Sequence, residues 1–192
     1  MNDSELLLLL GDLHIPQKQS QIPELFREIL IPGLFSQILC TGNIGLSLEL
    51  QDYLKSLGKS FHLVKGEYED AGSQLPEFKV LTAGKLKFGL FHGHQIIPWG
   101  DSESLNNYMR EQEVDVIISG HTHEQKIEKY EGKLFINPGS FTGAYGPLKL
   151  DVEPGFVVLE VKEKTIEAFF YKIVMKEVVV NKIIWTKGEK MK

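Results

Sequence analysis

Residues 115–123 read Asp-Val-Ile-Ile-Ser-Gly-His-Thr-His, DVIISGHTH. A short apolar run that stops at a glycine is the pattern of a buried strand, and this strand end delivers two histidines with one residue between them. Residues i and i+2 of an extended segment point the same way, so His121 and His123 can face one ion.

Two other segments repeat the construction. LLGDLHIP at 9–16 carries Asp12 and His14 two residues apart, and FGLFHGHQ at 88–95 carries His92 and His94. A single histidine after a strand is an ordinary loop residue. Five of the chain's six histidines, at three strand ends, form a pattern that metal binding explains, because imidazole and carboxylate oxygen together are a common ligand set for divalent ions. Asn43 follows the strand-like run SQILC at 36–40, and Glu67 follows FHLV at 61–64. Seven candidates thus converge: Asp12, His14, Asn43, Glu67, His92, His121 and His123.

The connecting patterns predict how these strand ends meet. Glu5–Gly11 reads as a continuous apolar strand, Pro23–Leu30 as a short helix, Ile38–Thr41 as a strand, Ser47–Leu57 as a helix stopped by Gly58, and Phe61–Val64 as a strand. Alternating strands and helices imply right-handed crossovers and a parallel sheet. A hairpin over 78–91, a helix from Asp101 to about Glu113 and a β-rich remainder follow without a linker or internal repeat. The expectation is one domain over residues 1–192, an α/β four-layer αββα sandwich.

Composition narrows the function. A net charge of −5, with the one basic cluster at the terminal TKGEKMK, argues against a nucleic-acid surface. Cys40 has no partner for an internal disulfide and no leader-like segment precedes the first strand, which fits a reducing cytoplasmic compartment.

In order and spacing, GDLH, GN at 42–43, KGEYED, FHGH and SGHTH resemble the five motifs of the calcineurin-like metallophosphoesterases. These are αββα sandwiches that hydrolyse phosphate esters with two metal ions. The resemblance implies one metal held by Asp12, His14 and His123 and another by Glu67, His92 and His121, with residue 43 between them. In active members the bridge is aspartate and the residue matching Glu67 is asparagine; here the two types are exchanged.

Two divalent ions about 4 Å apart repel by roughly 15 to 20 kcal/mol at an effective dielectric near 20, so a shared anion is a large part of what holds them together. Asn43 brings a neutral carbonyl oxygen to that position. Tyr68 stands where many active members have a histidine that assists the leaving group, and a phenol is no imidazolium at neutral pH. The expectation is no required cofactor, one weakly bound zinc or manganese ion, and an inactive homologue; the alternative is a metal-dependent phosphoesterase of weak residual activity.

Longer strings, LGDLHIP, QILCTGN, HGHQIIPWGD, DVIISGHTH and INPGSFTGAYG, are similar to the family of phosphoesterase-like retromer subunits over nearly the whole chain. That resemblance implies a scaffold peripheral on endosomal membranes, associated through its complex. It would bind the C-terminal part of the large α-solenoid subunit and recruit regulators on a separate apolar patch. Ile96, Ile97, Pro98 and Trp99 concentrate apolar groups on an irregular segment, as interface cores do, and are assigned to the solenoid contact, with a lid folded over the core as the other reading. Leu6, Val158 and Tyr171 are candidates for the second patch or ordinary core positions. NPGS at 137–140 is read as turn chemistry rather than support for the histidine loops.

Overall fold

The leucine run becomes the interior of a six-stranded sheet. Strand β1 (Glu5–Leu10) pairs in parallel with β2 (Phe35–Cys40) and antiparallel with β9 (Gly155–Lys162). Leu7 and Leu9 face one hydrophobic core while Leu8 and Leu10 face another. A strand buried on both faces has no polar side to show, hence an unbroken apolar run.

The computed structural model describes residues 4–45, 47–70 and 72–189. Beyond β2 the first sheet continues to β3 (Gly58–Leu63); beyond β9 it continues to β10 (Thr165–Val174) and β11 (Glu177–Thr186). The second sheet runs in the order β4 (Phe78–Ala83), β5 (Leu86–Phe91), β6 (Val116–Ile118), β8 (Lys133–Asn137) and β7 (Lys126–Tyr130). Its β5, β6 and β8 are parallel, so their carboxyl ends share one edge.

Three apolar layers account for the four-layer sandwich. Leu9, Phe88 and Ile118 lie in the layer between the sheets. Phe26 of α1 (Glu24–Ile29) and Leu54 of α2 (Leu48–Ser56) pack with Leu8, Ile38 and Phe156 on the outside of the first sheet. Leu105 of α3 (Ser102–Tyr108) and Met109 close over Phe91, Ile117 and Phe135 of the second. Helix α1 has only six residues and too little intrinsic stability to stand alone; fully buried Phe26, edge-on to Phe156 with centroids 4.7 Å apart, contributes roughly 1.5–3 kcal/mol by its burial.

Two boundaries differ from expectation. Gly58 opens β3 rather than capping α2, because a Cβ there would come within 2.9 Å of the Phe35 carbonyl oxygen on the neighbouring strand. The helix begun at Asp101 ends at Tyr108; a short 3-10 turn follows and Glu113 adopts a left-handed φ of 49°. Residues 190–192 of the basic tail lie outside the described residues. The turn at Glu131–Gly132 matches expectation, with both residues at the positive φ that a two-residue hairpin requires. No helix among the described residues is long and apolar enough to cross a membrane.

Candidate metal centre

The loops leaving β1, β2, β5 and β6 meet at one rim, joined there by the Glu67 loop. Asp12 N–H donates to the Gly42 carbonyl at 3.0 Å, His14 N–H to the Asn43 carbonyl at 2.9 Å, and His121 N–H to Asp12 Oδ2 at 2.9 Å. Asp12, His14, Asn43, His121 and His123 all have left-handed backbones, with φ between 48° and 69°. Each costs roughly 1–2 kcal/mol relative to a right-handed residue, and such strain persists where surrounding structure over-determines it to aim a side chain.

Two groups of ligand atoms result: Asp12, His14 and His123, all buried, and Glu67, His92 and His121. In the first, His14 Nε2 lies 3.2 Å from His123 Nε2, and Asp12 Oδ1 lies 3.7 Å and 3.4 Å from these nitrogens. His123 Nδ1 donates to the Ala144 carbonyl at 2.7 Å, which turns the Nε2 lone pair inward. A carboxylate oxygen and two imidazole nitrogens that converge this closely in a buried space fit a divalent ion. In the second group Glu67 Oε2 accepts from His92 Nε2 at 2.6 Å and Oε1 lies 3.2 Å from His121 Nδ1. His92 Nδ1 donates to the Thr41 carbonyl at 2.6 Å.

Asn43 stands between the groups, with the opposite end of its amide facing the centre from the one expected. Its Oδ1 accepts the Tyr68 backbone N–H at 3.0 Å. Its Nδ2 is therefore the inward atom, 3.3 Å from Asp12 Oδ1 and 3.1 Å from Glu67 Oε2. The two N–H bonds tie one carboxylate of each group, so a neutral hydrogen-bond donor stands between the two ligand groups.

Electrostatics follow from this packing. Burial opposes charge on Asp12, but the His92 charge, with the neighbouring His123 and His14 rings, outweighs it and holds the carboxyl well below its usual range. Burial of Glu67 is likewise overcome by hydrogen bonds from His121 and His92. Burial alone would lower His92, yet Asp12 and Glu67 raise it to about 9. Desolvation lowers His14, which keeps it neutral and able to bind a metal. Without metal, His92 and the Asn43 amide supply the positive ends that neutralise the two carboxylates.

The model of the calcineurin-like phosphoesterase superfamily domain matches residues 6–164. Vacuolar protein sorting-associated protein 29 of Schizosaccharomyces pombe is 36% identical over 188 residues, covering 96% of this chain and 100% of its own. The chain belongs to the Vps29 family. Wild-type Entamoeba histolytica Vps29, solved as a complex with Zn2+, is 40% identical with a TM-score of 0.86, covering 93% of this chain and 98% of its own. Chaetomium thermophilum Vps29, solved with the cyclic peptide RT-D3, is 31% identical at the same TM-score, covering 97% and 99%.

The surfaces of this Vps29 relative divide differently from the sequence-based assignment. Ile96 is 7% exposed and packs with Phe91, Leu105 and Met109, so it belongs to the core and not to a contact surface. Ile97 is 77% exposed, Pro98 is exposed, and Trp99 packs edge-on to His121 at 4.6 Å while its Nε1 donates to the His94 carbonyl. The irregular segment thus turns one isoleucine inward and the next outward. Leu6, Val158 and Tyr171 are half-buried and, with Leu34, Phe35 and Phe169, line an apolar cavity of about 270 Å³ beside α1. That surface is more open than an ordinary core position.

Loop support, the reading of NPGS that the sequence favours less than turn chemistry, is what Asn137 provides: its side chain donates to the Gly120 carbonyl and Thr122 Oγ1, both at 3.0 Å. The Thr41 and Ala144 carbonyls that fix two imidazoles are not legible in the sequence, since a backbone acceptor leaves no residue-type signal.

Proposed function

We propose that this single-domain chain, over residues 1–192, is a non-catalytic interaction subunit of retromer in endosomal retrograde cargo sorting. It binds the C-terminal part of the large α-solenoid subunit and recruits regulators; its membrane association is indirect, through the complex. Membership in the Vps29 family supports the retromer assignment. The observation that carries the non-catalytic half is the Asn43 amide nitrogen, set between Asp12 and Glu67 where two-metal hydrolysis needs negative charge.

Ile97, Pro98 and Trp99 beside the metal rim form the solenoid contact. An exposed isoleucine next to a tryptophan anchor is the composition of an interface hot spot. The cavity around Leu6, Val158 and Tyr171 takes apolar groups of regulators, and the peptide-bound Chaetomium relative supports a peptide-binding role for the family. No cofactor is required. One zinc or manganese ion binds at the vestigial centre of Asp12, His14, Asn43, Glu67, His92, His121 and His123, in line with the zinc-bound Entamoeba relative. Such an ion would neutralise buried carboxylate charge; the residues around it hold loops in place.

The intact ligand groups favour a second reading, a phosphoesterase of weak residual activity. Assay of a generic phosphodiester with manganese separates the two. Background hydrolysis, equal in the native chain and in His92→Ala, is the expected result; manganese-dependent turnover lost in His92→Ala would establish the enzyme.

A further inference from the structure

Ser140 lies at the centre of the loop after β8 and is completely buried. Its Oγ donates to the Asp12 carbonyl at 2.7 Å and accepts the Ala144 N–H at 2.8 Å. The Ala144 carbonyl in turn accepts His123 Nδ1–H at 2.7 Å. One hydroxyl therefore connects the backbone of one ligand to the ring of another through a single intervening residue. Among the described residues no side-chain hydroxyl links two ligands of the other group in this way: its His92 Nδ1 rests on the Thr41 carbonyl alone, and the Glu67 side chain is 30% exposed, while each group has one buried imidazole nitrogen without a partner, His14 Nδ1 in the first and His121 Nε2 in the second.

From this asymmetry we infer that Ser140 is a positioning residue for the Asp12–His14–His123 group and makes it the tighter of the two metal sites. Without the hydroxyl, the Asp12 carbonyl and the Ala144 N–H lose their partner together. The strained loop at Asp12, with φ of 51°, and the His123 ring then lose a shared anchor. Thr142 provides an internal control. It is also buried, and its Oγ1 donates to the Leu13 carbonyl at 2.7 Å, a bond of equal length on the same loop that does not reach His123.

The inference rests on the metal-binding part of the proposed function, and the experiment separates the two. Zinc affinity of the full chain is measured by competition with a chromophoric chelator. It is measured again as the zinc concentration giving half of the thermal stabilisation, which keeps a variant loosened without metal in the comparison. Ser140→Ala is expected to weaken the tightest site by about 10- to 100-fold, Ser140→Thr to restore most of the affinity, and Thr142→Ala to change it by less than about threefold. His123→Ala removes that site and His121→Ala leaves it. If Ser140→Ala binds like the native chain, if Thr142→Ala weakens binding equally, or if His121→Ala abolishes the tightest site, Ser140 has no positioning role there. Absence of zinc uptake by the native chain would overturn the metal reading itself.

Discussion

The Tyr68 backbone N–H donates to Asn43 Oδ1 at 3.0 Å, and this one bond decides which end of the amide faces the metal centre. Turning the amide would leave that N–H without its acceptor and set the Asn43 oxygen against two carboxylates. The centre is therefore organised as a hydrogen-bonded cluster around Nδ2.

Asn43→Asp tests that organisation. The substitution removes two donated hydrogen bonds and adds a third carboxylate beside Asp12 and Glu67. The metal-free variant is expected to lose about 2 kcal/mol, seen as a fall of roughly 4–8 °C in Tm. Manganese should then stabilise the variant more than the native chain, and elemental analysis should find two ions per chain in place of one. Unchanged stability and ion count would show that the amide has no such role.

The pH dependence of the metal-free protein follows from His92, Asp12 and Glu67. His92 is raised in the folded state, so its contribution is complete below its ordinary value of about 6.5 and is lost as pH rises through about 9. The two lowered carboxyls contribute above their ordinary range near pH 4 and lose that contribution as pH falls below it. Urea denaturation should show stability declining as pH rises toward 9, a decline that His92→Asn abolishes. Zinc binding at Glu67, His92 and His121 must displace the His92 proton, so its affinity should rise with pH over the same interval.

Adjacent isoleucines should behave in opposite ways. Ile96→Asp buries a charge among Phe91, Leu105 and Met109 and should cost more than about 3 kcal/mol, read as a lowered urea midpoint. Ile97→Asp sits on an exposed side chain and should stay within about 0.5 kcal/mol of native stability.

Val158→Glu introduces charge into the apolar cavity beside α1. Calorimetric titration with RT-D3 should show at least a tenfold loss of affinity, or about 1.4 kcal/mol, while capture by the solenoid subunit is unchanged. Equal affinity for the native and Val158→Glu chains would place peptide binding elsewhere.

The strand ends and the convergence of Asp12, His14, His92, His121 and His123 were legible because they depend on local periodicity: apolar runs of strand length followed by polar residues. The exposure of Leu6, Val158 and Tyr171 was not. Strand positions of this type look like core until the length of α1 decides how much of the sheet is covered, and α1 has six residues. Ile96 and Ile97 could not be told apart because the segment has no period from which to assign an inward side. The Asn43 amide depended on a backbone N–H 25 residues away in sequence.

The scaffold account is tested most directly by capture of the chain on the C-terminal part of the large α-solenoid subunit, with Ile97→Asp and His92→Ala compared in one assay at matched folded protein. The account predicts that Ile97→Asp abolishes capture and His92→Ala preserves it. Capture that survives Ile97→Asp but is lost in His92→Ala would contradict it and assign the interface to the metal centre.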